Sequence, residues 1–74
     1  MAFGTLDTVV VTTDLPIQGL KRGDIGVIVQ IYSQDAVEIE FVTASGHTES
    51  VMTLCTNQIR PVGSRDLLSV RQRD

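Results

Sequence analysis

The stretch Ile25-Gly26-Val27-Ile28-Val29-Gln30-Ile31-Tyr32, then Ser33-Gln34-Asp35, then Ala36-Val37-Glu38-Ile39-Glu40-Phe41-Val42, decides the fold. In residues 36–42, Val37, Ile39 and Phe41 alternate with Glu38 and Glu40. Successive side chains of a strand point to opposite faces, so this segment predicts a strand with one dry and one wet face. In residues 25–32, Ile25, Val27, Val29 and Ile31 fall on one face and Gly26, Ile28, Gln30 and Tyr32 on the other. The first set is uniformly apolar and is expected to face the core. The short polar segment Ser33–Asp35 leaves room only for a tight turn, so the two strands form an antiparallel hairpin. Gly26 offers nothing to pack, which marks either a bulge or a close backbone approach.

Upstream, Leu6-Asp7-Thr8-Val9-Val10-Val11-Thr12-Thr13 reads as a first strand, because β-branched residues lose rotamer freedom in a helix. Pro16 ends it and holds Leu15 extended. Residues 17–24 form a loop in which Gly19 and Gly23 supply the reversal, with Leu20 expected to tuck under it and pin it to the core. Downstream, Gly46 is the expected left-handed residue of a turn over residues 44–47. Residues 48–55 read as a fourth strand whose facing is open, since Val51 and Cys55 alternate against Met52 and Leu54. Thr56-Asn57-Gln58 reads as one helical turn. Residues 59–62 read as a short fifth strand that Pro61 confines to an edge or an end. Five short strands with tight turns predict an all-β fold, a small five-stranded SH3-like barrel over residues 1–62. Residues 63–74 form a C-terminal tail, either frayed or ordered by a partner, in which Ser64 is a candidate helix cap.

Seventy-four residues make one domain. A chain this small buries about 60% of its unfolded surface, which leaves little for a deep cleft and argues against catalysis. At 42% hydrophobic and 20% charged, the composition is globular rather than disordered. The single cysteine, Cys55, excludes an internal disulfide framework and is read as a small buried apolar residue. The absence of staples and of a signal-like N-terminus points to a soluble, cytoplasmic protein with no membrane span. Residues 1–62 carry three basic residues against seven acidic ones, whereas the tail carries three basic against two acidic. An acidic body argues against non-specific nucleic-acid binding, which draws its affinity from cations on phosphate.

Little catalytic chemistry is present. His47 and Cys55 are the only histidine and cysteine, and their spacing does not bring them together. His47 is expected to be exposed on its turn. Glu38 and Glu40 share one strand face with carboxylates ~7 Å apart, a geometry read as a solvated face and, with Glu49 nearby, as an acidic patch for a basic partner. In Lys21-Arg22-Gly23-Asp24 the aspartate is expected to accept backbone N–H bonds and stabilise the turn. Lys21 and Arg22 are candidates for contacting phosphate or an acidic surface. Tyr32, on the outward face, is the best single candidate for a contact anchor, with a structural role at the hairpin turn as the alternative. No phosphate loop, dinucleotide fingerprint or metal-ligand cluster is legible, so no cofactor or metal is implied.

Leu6-Asp7-Thr8-Val9-Val10, Asp14-Leu15-Pro16, Gly19 through Gly26, and Val37-Glu38-Ile39-Glu40-Phe41 occur in this order. Together they resemble a family of small bacterial and cyanobacterial proteins known as domain of unknown function 4926, over roughly residues 5–62. The resemblance implies an SH3-like fold and carries no catalytic or binding residue. Gly23-Asp24-Ile25-Gly26-Val27 also resembles the start of a KOW motif, and the layout resembles the barrels of photosystem I subunit IV and of the ferredoxin–thioredoxin reductase variable chain. Those relatives are binding or docking modules, though fold alone does not fix function.

The leading expectation is a non-catalytic protein-interaction module, either antitoxin- or immunity-like or an accessory subunit of a larger complex. Its candidate contacts are Lys21, Arg22, Tyr32, Glu38, Glu40, Arg60, Leu67 and Leu68. One alternative is RNA binding through Lys21, Arg22 and Arg60. Another is a docking subunit in electron transport, which needs a basic face that few cations supply. Self-association through a strand edge or the tail is a further expectation.

Overall fold

The computed structural model describes residues 3–42 and 48–67. Its strands are β1 (Thr8–Val11), β2 (Ile25–Ile31), β3 (Ala36–Val42), β4 (Thr48–Cys55) and β5 (Ile59–Pro61). They form one antiparallel sheet in the order β4-β3-β2-β1-β5. Single 3-10 turns at Pro16–Gln18 and Thr56–Gln58 complete the described elements. The fold is all-β. Its long first loop, tight β2–β3 hairpin and helical turn before a short strand beside β1 give the layout expected of a small SH3-like barrel. Among the described residues no ladder joins β4 to β5, so the sheet is not closed there.

The dry face is built from alternating positions. Val9 and Val11, Ile28, Val37, Ile39 and Phe41, Leu54 and Ile59 meet in one cluster with Leu15 and Leu20. Phe3 and Met52 lie against it, half-buried. Leu20 is pinned as expected, because Leu15 and Leu20 exchange both backbone hydrogen bonds, at 2.9 and 3.0 Å. Between them the Pro16–Gln18 turn closes with Gly19 at φ 72°, and Ile17 at its tip is 97% exposed. Gly23, at φ 96°, turns the chain back toward β2.

From Ile25 to Ile28 the facing of β2 is the reverse of the expected one, for Ile28 is fully buried and Gly26 is buried, whereas Ile25 and Val27 are half-buried. Beyond the half-buried Val29 it is as expected, with Gln30 outside and Ile31, at the exposed end of the strand, opposite the core residue Val37. The register explains this, since Gly26 pairs with Val9 and Ile28 with Ile39, both core residues, and opposite residues share a face. A Cβ on Gly26 would stand 2.5 Å from Ile39 Cγ2 and 2.9 Å from Phe41 Cε1. Gly26 therefore faces inward because two large side chains occupy its place. The bulge lies further along, at Val29, between the pairs Ile28–Ile39 and Gln30–Glu38. It puts Gln30 on the outer face beside Glu38.

Cys55 is exposed, not buried. Leu54 and Met52 turn to the core, so Val51, Thr53 and Cys55 take the outer face. The first strand is shorter than residues 6–13, because Gly4–Asp7 form a turn with Leu6 at φ 73°. Gly63–Asp66 form another turn, and Ser64 caps no helix among the described residues. The turn around Gly46 and the tail beyond Leu67 lie outside the described residues.

Gly26→Ala tests this packing. Filling the space taken by Ile39 and Phe41 is expected to cost about 1–3 kcal/mol in urea unfolding, as overpacked cores do. An alanine variant as stable as the parent would contradict the close approach.

Candidate functional site

The outer face of β2, β3 and β4 gathers polar groups in register. Val27, Glu40 and Val51 lie side by side across the three strands, and Gln30, Glu38 and Thr53 form the next row. Tyr32 extends the face beyond β2, with its hydroxyl near enough to Glu38 and Thr53 for both to bear on its titration. Desolvation against the sheet raises its phenol pKa above the ordinary 10.0, and the Glu38 carboxylate, as acceptor and as negative charge, raises it further. The Thr53 hydroxyl opposes the shift. Tyr32 is nevertheless half exposed, so the ring remains available for contact.

The same face continues across β2 and β1. Val10 lies between Ile25 and Arg60 and is buried, although Val9 and Val11 on either side point to the core. Arg60 closes this row at the β5 edge. Its guanidinium donates two hydrogen bonds to Asp66, at 2.8 and 3.1 Å. Gly63 N–H donates to the same carboxylate at 2.5 Å. The hydrogen bond to Arg60, then that from Gly63, hold the Asp66 carboxyl below the ordinary 3.8, and Asp66 raises the Arg60 guanidinium. Beside the clip, Phe3, Thr56, Asn57, Ile59, Arg60 and Pro61 line an open depression of about 230 Å³.

Lys21 and Arg22 occupy a separate loop, and both are exposed. Asp24 accepts the Lys21 backbone N–H at 2.9 Å, the role expected of it. Asp14 accepts the Arg22 N–H at 2.9 Å, reaching back from the end of the first strand. Both carboxylates shape the loop that displays the two cations.

The predicted contact residues therefore fall into three groups. Tyr32, Glu38 and Glu40 come together on the outer face, Lys21 and Arg22 stand on their loop, and Arg60 is clipped to Asp66. Leu67 is 94% exposed just past that clip. Leu68 and His47 lie outside the described residues. Sequence reasoning missed Thr53 and Val51, although their alternation with Met52 and Leu54 was the available signal. It also missed the Arg60–Asp66 pair, whose six-residue separation spans a turn rather than a helix. Among the described residues no group of three or more His, Cys, Asp or Glu is placed to hold a metal ion. No helix there is long and apolar enough to cross a membrane.

An all-β domain with an exposed tyrosine beside glutamates on its outer face is the class of protein that this geometry defines. Residues 5–61 match the model of the family described as domain of unknown function (DUF4926), and the chain belongs to that family. No curated protein and no solved structure matches it.

The clip predicts a pH dependence with a definite sign. A carboxyl with a lowered folded pKa contributes stability above its unfolded pKa, and loses it as pH falls through the folded value. The Asp66 side-chain resonance should titrate below the ordinary 3.8, and Arg60→Ala should move it up toward that value, leaving the part that the Gly63 N–H supplies. An unshifted midpoint in the parent protein would show that the clip does not form in solution.

Proposed function

We propose that this chain is a non-catalytic protein-binding module, acting in the cytoplasm, whose outer β2–β3–β4 face receives a basic, partly apolar surface of another protein. The observation that carries this reading is the half-exposed Tyr32 standing beside Glu38 and Thr53 on an exposed sheet face. A tyrosine has only two side-chain torsions to immobilise on binding, and aromatic anchors dominate protein interfaces. Glu38 and Glu40 supply charge complementary to lysine or arginine, while Val27 and Val51 supply the apolar ground between them. An antitoxin- or immunity-like protein and an accessory subunit of a larger enzyme both need such a face.

A second reading has its own support. Lys21 and Arg22 are displayed on a loop braced by Asp14 and Asp24, which suits RNA phosphate as in a KOW-like domain. The acidic body weighs against it.

Affinity purification of the tagged chain with and without nuclease, followed by binding measurements on the recovered partner, separates these readings. The protein reading expects a stoichiometric, nuclease-insensitive partner. Its affinity should fall about tenfold, or ~1.4 kcal/mol, in Tyr32→Ala or Glu38→Gln and should weaken with salt. A partner indifferent to both substitutions would remove the face from the interaction. Nuclease-sensitive recovery that is lost in a Lys21→Ala, Arg22→Ala variant would establish the RNA reading instead.

A further inference from the structure

The two edges of the sheet are unlike. β5 has three residues and carries Pro61, a short edge of the kind that resists pairing. β4 has eight residues, no proline and no lysine, and Glu49 is its single charge. Among the described residues it also terminates the sheet.

The direction of its backbone groups follows from two hydrogen bonds. Tyr32 N–H donates to Ala36 C=O, which therefore faces β2 rather than β4. Cys55, opposite Ala36, gives its N–H to Gln58 Oε1 and so faces away from β3. Backbone groups of an antiparallel strand alternate sides, so Leu54 and Met52 bond to β3 while Thr53 and Val51 turn both N–H and C=O to the open edge. Their side chains are exposed.

We propose that this edge pairs with β4 of a second copy of the chain, antiparallel and about a two-fold axis at Met52. In that register Val51 of each copy faces Thr53 of the other, and each such pair exchanges both of its N–H···O=C bonds. The outer face then carries β-branched Val–Thr neighbours, a favourable cross-strand combination. Met52 meets its counterpart on the inner side, where it already lies against the core. Residues 50–55 carry no charge, so no like charges are brought opposite one another. The self-complementary, uncharged pattern is what favours a second copy over a foreign strand. The inference goes beyond the proposed binding face, because it uses the backbone edge of Val51 and Thr53, whereas that face uses outward side chains, Val51 among them.

The test is sedimentation of the full chain under reducing conditions over a range of concentrations, with amide hydrogen exchange followed in parallel. The expected result is a reversible dimer in which Val51 and Thr53 amides become protected as concentration rises. Met52 and Leu54 amides, bonded to β3, should be protected throughout. Each chain has a net charge of −3, so added salt should strengthen the dimer, whereas it weakens binding to a basic partner. Val51→Lys, which puts a charge at the edge, should weaken the dimer by at least about tenfold, and Tyr32→Phe should leave it unchanged. A chain that stays monomeric at millimolar concentration overturns the proposal. So does a dimer whose Val51 and Thr53 amides exchange as freely as in the monomer, a readout that does not depend on any variant folding.

Discussion

The contact between Gly26 and the side chains of Ile39 and Phe41 governs this fold. Neighbouring strands lie about 4.8 Å apart, so a residue in mid-strand ordinarily meets its neighbours side chain to side chain. At Gly26 the place of one side chain is taken by two from β3. That lets the β2–β3 hairpin curl inward over Val9 instead of remaining flat. Ile28 is then carried to the centre of the core, and the bulge at Val29 returns the strand to register with Gln30 outside. The half-buried valines and Ile25 on the opposite side of β2 follow from the same choice. They border an outer face that is itself partly apolar, with Val10 buried in its midst.

This contact also separates what was legible in the sequence from what was not. The alternation Val37-Glu38-Ile39-Glu40-Phe41 could be read directly, because only one face of β3 is apolar. The strand before it has apolar residues on both faces, so alternation alone could not say which set is inside. The larger number of apolar side chains pointed the wrong way, because the decisive inward residue has no side chain at all. Cys55 was misread for a related reason, as facing on β4 depends on its pairing with Ala36 rather than on the hydrophobicity of cysteine. Turn chemistry was more legible, since Gly19, Gly23 and Asp24 act through local backbone geometry. At the candidate site Glu38 and Glu40 could be grouped by periodicity alone, whereas Tyr32 reaches the same face only because the bulge at Val29 interrupts the alternation of β2. Thr53 could not, because a strand-to-strand partner is fixed by register, and register is a property of the assembled sheet.

The distribution of charge follows the architecture. Asp14, Asp24 and Asp66 accept backbone N–H groups at turns, which uses acidic residues as structural fasteners. Glu38 and Glu40 are on the sheet instead, so the net negative charge of the chain has two origins. The sheet pair shares its face with the exposed Tyr32, and that sets it apart from the turn-forming acids where composition alone treats all acids alike.

The long first loop behaves as a small hairpin of its own. Leu15 and Leu20 close it by exchanging backbone hydrogen bonds, and both are anchored in the core. Its tip holds Ile17 almost wholly in solvent. A substitution at Ile17 therefore meets water rather than the core, which makes that one side chain a place to carry a reporter group with the scaffold left intact.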